Sequence, residues 1–430
     1  MIDGILQILA DRFRKMFSRR NKMENKAKWT FMVYMAGDNN LSSAGETDIG
    51  ELAKIGSSED VNIIVEFDRI GTSKHSKRYF IQKDDIQEIE DLGETDCGDP
   101  NTALDFIRWT ADSYPADRYG LVLWNHGGGW EPSAIDTIAT EVGTAEYGRA
   151  EGAERSASPL GRVFFRTSLR KIMSQESMDD RAICSDDGSG HSIDTIELGK
   201  VLEKATNVLG QPIDLLGMDA CLMSNFEVAY QVRNQAHYIV ASEENEPANG
   251  WPYNLVLEKL VTNPDIATAE FCAHIVDAYI QSYAHTNFTV TQSAFDLSQS
   301  AKLAQSLDKL AQSLKANMPA VRNDIWSSQF HAAKFMHNTL WDIRHFCQML
   351  HQTTSNESVR NACQSVLIAL TPGEGNFILA ESHRGEKVKN CGGVTIYFTP
   401  PPNGISKFYG ELDYAKSHFW DELLKEYHNL

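Results

Sequence analysis

The chain has no run approaching the roughly eighteen uninterrupted apolar residues that a membrane-spanning helix needs, so no segment reads as a span. It lacks paired-cysteine signatures as well. Its seven cysteines are an odd number with no C-x-x-C among them, which argues against a disulfide framework and a zinc ribbon, and reduced thiols are expected. Basic residues are scarce: 40 Lys and Arg against 59 Asp and Glu leave a formal charge of −19 at pH 7, the wrong sign for a nucleic-acid partner. Also missing are a G-x-x-x-x-G-K-[ST] phosphate loop, an H-E-x-x-H zinc pair and internal repeats. No metal-ligand set stands out from the spacing of its residues.

What is present favours a large core, since 42% of the 430 residues are hydrophobic and 10% aromatic. "WTFMVYMAG" (29–37), "VNIIVEFDR" (61–69), "KRYFIQ" (77–82), "YGLVLWNH" (119–126), "IDLLGMDAC" (213–221) and "AHYIVASEE" (236–244) read as strands. Helical patterns lie between these strands at 38–58, 100–114, 193–208 and 224–235, and further amphipathic helices are expected beyond residue 260. Most of these strands are continuous apolar runs, so helices should cover both sheet faces. The expected fold is three-layer α/β with a mostly parallel central sheet flanked by helices. In such sheets the chemistry gathers at the carboxyl ends of the strands. His126 and Cys221 both stand at such ends.

The flanking segments read differently. Residues 1–28 place Ile2, Ile5, Leu6, Leu9, Phe13, Met16 and Phe17 at helical spacing among arginines. That is a basic amphipathic segment, suited to a solvated or partner-bound leader or, as a second reading, to contact with an anionic membrane surface. Asp3 in place of a basic start, and an apolar stretch that ends at Asp11, do not suit a signal peptide. A cytoplasmic location is therefore expected, with secretion as the runner-up. Residues 29–430 read as one domain, within which 131–182 is expected to be an exposed loop and 300–390 a less defined helical part.

"NHGGGW" (125–130) admits two chemical readings. One is the oxyanion loop of an esterase, which demands a G-x-S-x-G nucleophile elbow. None exists in the chain, so that reading is disfavoured. The other is a general-base His126 beside Gly127, whose N–H can face a reacting carbonyl. Cys221, between a strand end and a helix start, sits where backbone N–H groups can lower a thiol pKa. The Gly127 and Cys221 N–H groups together would make a two-donor oxyanion hole. The other six cysteines read as core residues.

"WTFMVYMAGDNNL", "LVLWNHGGGW", "AICSDDGSGHSIDTIEL", "IDLLGMDACLMSNFEVAYQVRNQAHYIVASEENEPANGWPY" and "GGVTIYF" resemble the clostripain family of cysteine peptidases, relatives of the caspases, gingipains and legumains. The resemblance implies a caspase-like fold, protein or peptide substrates, and a His126–Cys221 dyad with Gly127 and Cys221 at the oxyanion. It implies cleavage after Arg or Lys, with Asp219 as one carboxylate of the specificity pocket. Where the family carries a second Asp before Gly-Trp this chain has Asn249, and Glu243, Glu244 and Glu246 are the candidates to compensate. Self-cleavage within 131–182 is implied too, with Arg162, Arg166, Arg170 and Lys171 available as sites. No cofactor is needed for the chemistry, although calcium is associated with some members; Asp186, Asp187 and Asp194 cluster but lack calcium-loop spacing. The competing class is an inactive caspase-like binding module.

Overall fold

A computed structural model describes residues 26–71, 75–130, 183–184, 186, 189, 191–335 and 338–429. The amphipathic segment falls almost wholly outside these residues, as do the 131–182 loop, its arginines and Asp187.

Five strands run parallel at the centre. They are β1 (Ala27–Gly37), β2 (Val61–Arg69), β5 (Ala116–Trp124), β6 (Ile213–Asp219) and β7 (Ala236–Ala241). Antiparallel strands extend both edges: β3 (Ser76–Gln82) and β4 (Asp85–Gly93) beyond β2, β8 (Val290–Asp296) and β11 (Ile378–Arg384) beyond β7. The nine-stranded order is β11-β8-β7-β6-β5-β1-β2-β3-β4. A small second sheet holds β9 (Lys334–Phe335), β10 (Leu340–Asp342) and β12 (Thr395–Tyr397) in the order β12-β10-β9. The sequence reading of a mostly parallel sheet holds, and the late "GGVTIYFTP" strand belongs to this second sheet.

Two apolar layers cover the sheet, as continuous hydrophobic strands require. One face packs α1 (Ser42–Ile55) with α5 (Tyr253–Thr262) and α6 (Thr268–Ser282). The other packs α2 (Pro100–Ser113), α3 (Thr195–Leu209), α4 (Phe226–Gln231), α7 (Ser300–Ala316) and the helices that follow it. Local chemistry starts these helices where the sequence suggests. Asp99 caps α2 ahead of Pro100, and Asp194 with Glu197 forms a capping box on α3. Asp194 is thereby committed to a helix end and not to a cation.

The register of β5 on β6 sets where His126 and Cys221 stand. Trp124 and Asp219 are Cα partners, so the residues two steps beyond each, His126 and Cys221, leave the sheet side by side. Asn125 N–H still donates to the Asp219 carbonyl at 3.3 Å, carrying the ladder one residue past the strand.

Candidate active site

His126 and Cys221 line one small cleft with Leu41, Trp124, Asn125, Asp219, Ala220, Glu246, Pro247, Ala248 and Gly250. Both are 3% exposed. His126 Nε2 lies 2.6 Å from Asn40 Oδ1, which fixes the ring from just beyond β1. Burial pulls the imidazole pKa down to about 4, so the ring is neutral and able to accept a proton at physiological pH. Burial, with the acids Glu246, Glu244 and Asp219 adding to it, pushes the Cys221 thiol up. Only the Glu246 N–H, donating to Sγ at 3.2 Å, works the other way. The empty site therefore holds a neutral thiol beside a neutral imidazole.

Gly127 is required by packing. A Cβ there would lie 2.5 Å from the Cys221 carbonyl oxygen and 3.0 Å from the side chains of Ala220 and Met223. Its amide does not pair with the neighbouring Ile183. Gly127 bridges Ile183 in antiparallel fashion, but Ile183 spends its own N–H and C=O on Ile193, at 2.6 and 2.7 Å. In an antiparallel ladder such a residue pairs on its other side without exchanging hydrogen bonds, so the Gly127 N–H points away from Ile183.

Below the dyad lies a floor of carboxylates. Asp219, 4% exposed, accepts from the Tyr253 hydroxyl at 2.8 Å and the Trp251 N–H at 3.3 Å. Gly250, at φ +51°, passes so close that a Cβ would stand 3.0 Å from both Asp219 oxygens. Glu246 faces Asp219, and burial plus that neighbouring charge drive its pKa well up. The pair shares a proton held on Glu246; burial raises the Asp219 pKa as well, and the hydrogen bonds from Glu246, Tyr253 and the Trp251 N–H work against that rise. Asp48, from α1, lies behind them and takes the Trp124 indole N–H at 2.8 Å; burial and Asp219 raise its pKa to about 9.

The structure thus brings His126, Gly127, Cys221 and Asp219 together and leaves Asn249 out, exposed at the surface and absent from the cleft lining. Of the three glutamates, only Glu246 joins the pocket. Glu243 turns to Asp342 and Cys391, and Glu244 pairs with Lys387 at 2.5 Å. Sequence reasoning missed Asp48, although an acid in the Leu41–Asp48–Leu52 stripe of a helix was a legible signal. It missed Asn40 as well, whose place directly after a strand was the only hint.

Among the described residues, two groups could hold a metal ion, each with three ligand atoms within 4.8 Å: Asp68, Cys97 and Asp186, and Glu243, Asp342 and Cys391. In the second, Asp342 accepts from the His345 and Gly392 N–H groups, both at 2.6 Å, and shares a proton with Glu243. In the first, Asp68 and Asp186 are both buried, and the Ser189 and Cys97 N–H groups hold Asp186 at 2.7 and 2.9 Å.

Comparison with known proteins agrees with this geometry. The profile of the clostripain family matches residues 33–143 and 171–427. The chain belongs to the clostripain family. Clostripain from Hathewaya histolytica is 28% identical over 275 residues, which are 56% of this chain and 44% of that protein, so the chain spans less than half of this relative's length. Two solved structures share the caspase-like clostripain-family fold. One is a secreted C11 cysteine protease from Bacteroides thetaiotaomicron bound to an irreversible peptide inhibitor, with a TM-score of 0.64 at 20% identity, covering 92% of this chain and 100% of that one. The other is an inactive zymogen C11 protease from Parabacteroides distasonis, with a TM-score of 0.60 at 19% identity, covering 91% and 98%. Family membership carries the class of cysteine peptidase, a hydrolase.

Proposed function

We propose that this chain is a cysteine endopeptidase that cuts after Arg or Lys through Cys221 and His126. The observation that carries this reading is the position of Asp219 and Glu246, two buried carboxylates in the cleft that His126 and Cys221 line. A guanidinium or ammonium reaching that floor meets Asp219 already ionised and displaces the proton from Glu246, which then adds a second charge-assisted partner.

In the reaction, Cys221 Sγ attacks the scissile carbonyl while its proton passes to His126. His126 returns that proton to the leaving amine, and water hydrolyses the resulting thioester. The N–H groups of Gly127 and Cys221 receive the oxyanion. A thiol raised by burial needs this transfer to a neutral base, which His126, with its depressed pKa, provides. The residues named complete the sequence without a metal.

Self-cleavage within 131–182 belongs to the same proposal. The Gly127–Ile183 bridge pairs residues from either side of that segment next to His126, and the segment's sequence carries Arg162, Arg166, Arg170 and Lys171. An arginyl-amide fluorogenic assay on parent and Cys221→Ala proteins, read beside a denaturing gel, tests both parts. Parent protein should turn over substrate and run as two fragments, and Cys221→Ala should do neither, with turnover lower by about 10⁶-fold. Fragments from Cys221→Ala would assign processing to another protease. Absent turnover in cleaved parent protein would favour a binding module.

A further inference from the structure

The two edges of the nine-stranded sheet differ in their cover. β11 is half-buried along most of its length, whereas β4 is exposed from Asp85 to Asp91, and no further strand pairs with it among the described residues. A strand paired on one side only turns every second N–H and C=O outwards, a template for another strand. Ile86 and Ile89, on opposite faces of β4, are 38% and 40% exposed. Charge narrows what can pair there. Residues 84–94 carry Asp84, Asp85, Glu88, Glu90, Asp91 and Glu94 and no base. β3 offers Lys77 to Glu88 at 2.7 Å and Arg78 to Glu90 at 3.1 Å, but Asp85 and Glu94 have no basic partner among the described residues. A second copy of β4 would set like charges opposite one another, which destabilises a pair. A strand rich in bases meets no such penalty.

We propose that residues 12–22 of this same chain, which lie outside the described residues, add to the β4 edge as an antiparallel strand. Arg12, Arg14, Lys15, Arg19, Arg20 and Lys22 fall in that stretch and no acid does. Phe13, Met16 and Phe17 supply apolar surface for Ile86 and Ile89. The chain also ends in the right place. Met32, Ile64, Phe80 and Gln87 form one row across β1 to β4, so Lys26 and Asp85 lie towards the same end of the sheet. Three strand spacings and about four residues of rise separate them, roughly 20 Å or about six extended residues. Arg20 thus arrives at Asp85. From there the chain, followed back towards residue 12, climbs alongside β4; because β4 runs parallel to β1, the new pairing is antiparallel. This reading confines the helical spacing of the segment to residues 2–9. The docking stands apart from the peptidase reading.

Amide hydrogen exchange read by mass spectrometry on full-length Cys221→Ala protein tests it, since that variant removes self-cleavage as a complication. With both sides of β4 paired, nearly all of its amides should be protected. A combined Arg12→Glu, Arg14→Glu, Lys15→Glu, Arg19→Glu and Arg20→Glu variant should release about half of them to exchange roughly tenfold faster, and residues 12–22 should lose protection in step. The central parallel strands serve as the internal reference for folding. Asp85→Lys with Glu94→Lys should weaken the same protection from the other partner, by about threefold. The proposal is overturned if β4 exchanges alike in the parent and the charge-reversed protein. It is overturned too if protection of β4 rises with protein concentration alongside a dimer in sedimentation, which would assign the edge to a second copy. Protection of residues 12–22 only in the presence of anionic vesicles would assign the segment to a membrane surface instead.

Discussion

Asp219 and Cys221 lie two residues apart at the same strand end, and their surroundings treat charge in opposite ways. Around Cys221 and His126 the structure withholds partners for charge: both side chains are buried, the imidazole is held neutral and the thiol is held protonated. Around Asp219 it supplies two donors and two further acids, so negative charge is stored with protons attached. One region awaits charge that develops during a reaction, the other awaits charge that arrives with a side chain. On the proposed function, chemistry and recognition divide along β6, so substitutions on either side should affect different kinetic constants.

The largest break in that division comes from Gly127→Ala. Its Cβ would meet the Cys221 carbonyl at 2.5 Å, forcing the two strand ends apart and misplacing one oxyanion donor. We expect kcat to fall by about 10²–10³-fold while KM for an arginyl substrate changes little. A matched fall in Tm with no separate loss of kcat would reduce Gly127 to a packing residue. Glu246→Gln should do the reverse. In the empty pocket Glu246 is protonated, so glutamine preserves its shape, but glutamine cannot ionise when a guanidinium arrives. KM should rise by about tenfold with kcat nearly constant, a loss of roughly one charge-assisted hydrogen bond. An unchanged KM would remove Glu246 from the pocket.

The pH profile should separate the regions without mutation. His126 works as a base only when neutral, and its depressed pKa keeps it neutral down to about 4, so kcat should decline only as pH falls through that value. Glu246 is raised, so the pocket gains charge as pH increases, and KM for a basic substrate should improve well above the kcat limb. Two limbs are expected, kcat at the lower pH and KM at the higher. A single shared limb would mean that one group controls both regions.

How much of this could be read from the chain depended on whether burial left a mark in residue type. The parallel strands were legible because a strand covered on both faces must be apolar throughout, as "FMVYMA" and "LVLW" are. β4 was not: "DIQEIEDLG" is exposed along most of its length, and its pairing is made by backbone groups that any sequence carries. β8, "VTQSAFD", is buried but interleaves Thr, Gln and Ser, which breaks the apolar run while hydroxyls bond within the interior. The meeting of His126 and Cys221 in one cleft was legible because both stand just past the ends of neighbouring strands. The sequence names Asn249 for the pocket, with Glu243, Glu244 and Glu246 as candidates to compensate; the turn through Pro247 and Gly250 leaves Asn249 exposed while Glu246 lines the cleft. Spacing along a loop does not reveal which of its side chains turns inward.

Asp48→Asn gives the smallest effect and the finest test of stored charge. Asparagine can still accept the Trp124 N–H, so the packing of α1 on β5 should persist. The folded protein holds the Asp48 proton up to about pH 9, whereas an unfolded carboxyl releases it near 3.8. A raised folded pKa stabilises fully below the unfolded value, and that stabilisation is lost as pH climbs towards the folded one. The parent should therefore lose ground to Asp48→Asn across this window, with the Tm gap widening by several degrees, about 1 °C or more per pH unit, by pH 9. Kinetics at pH 7 should barely move, because Asp48 is uncharged there in both the empty and the working enzyme. A tenfold rise in KM at pH 7 would show that the proton on Asp48 leaves when a basic side chain binds, and would enlarge the recognising region from two carboxylates to three.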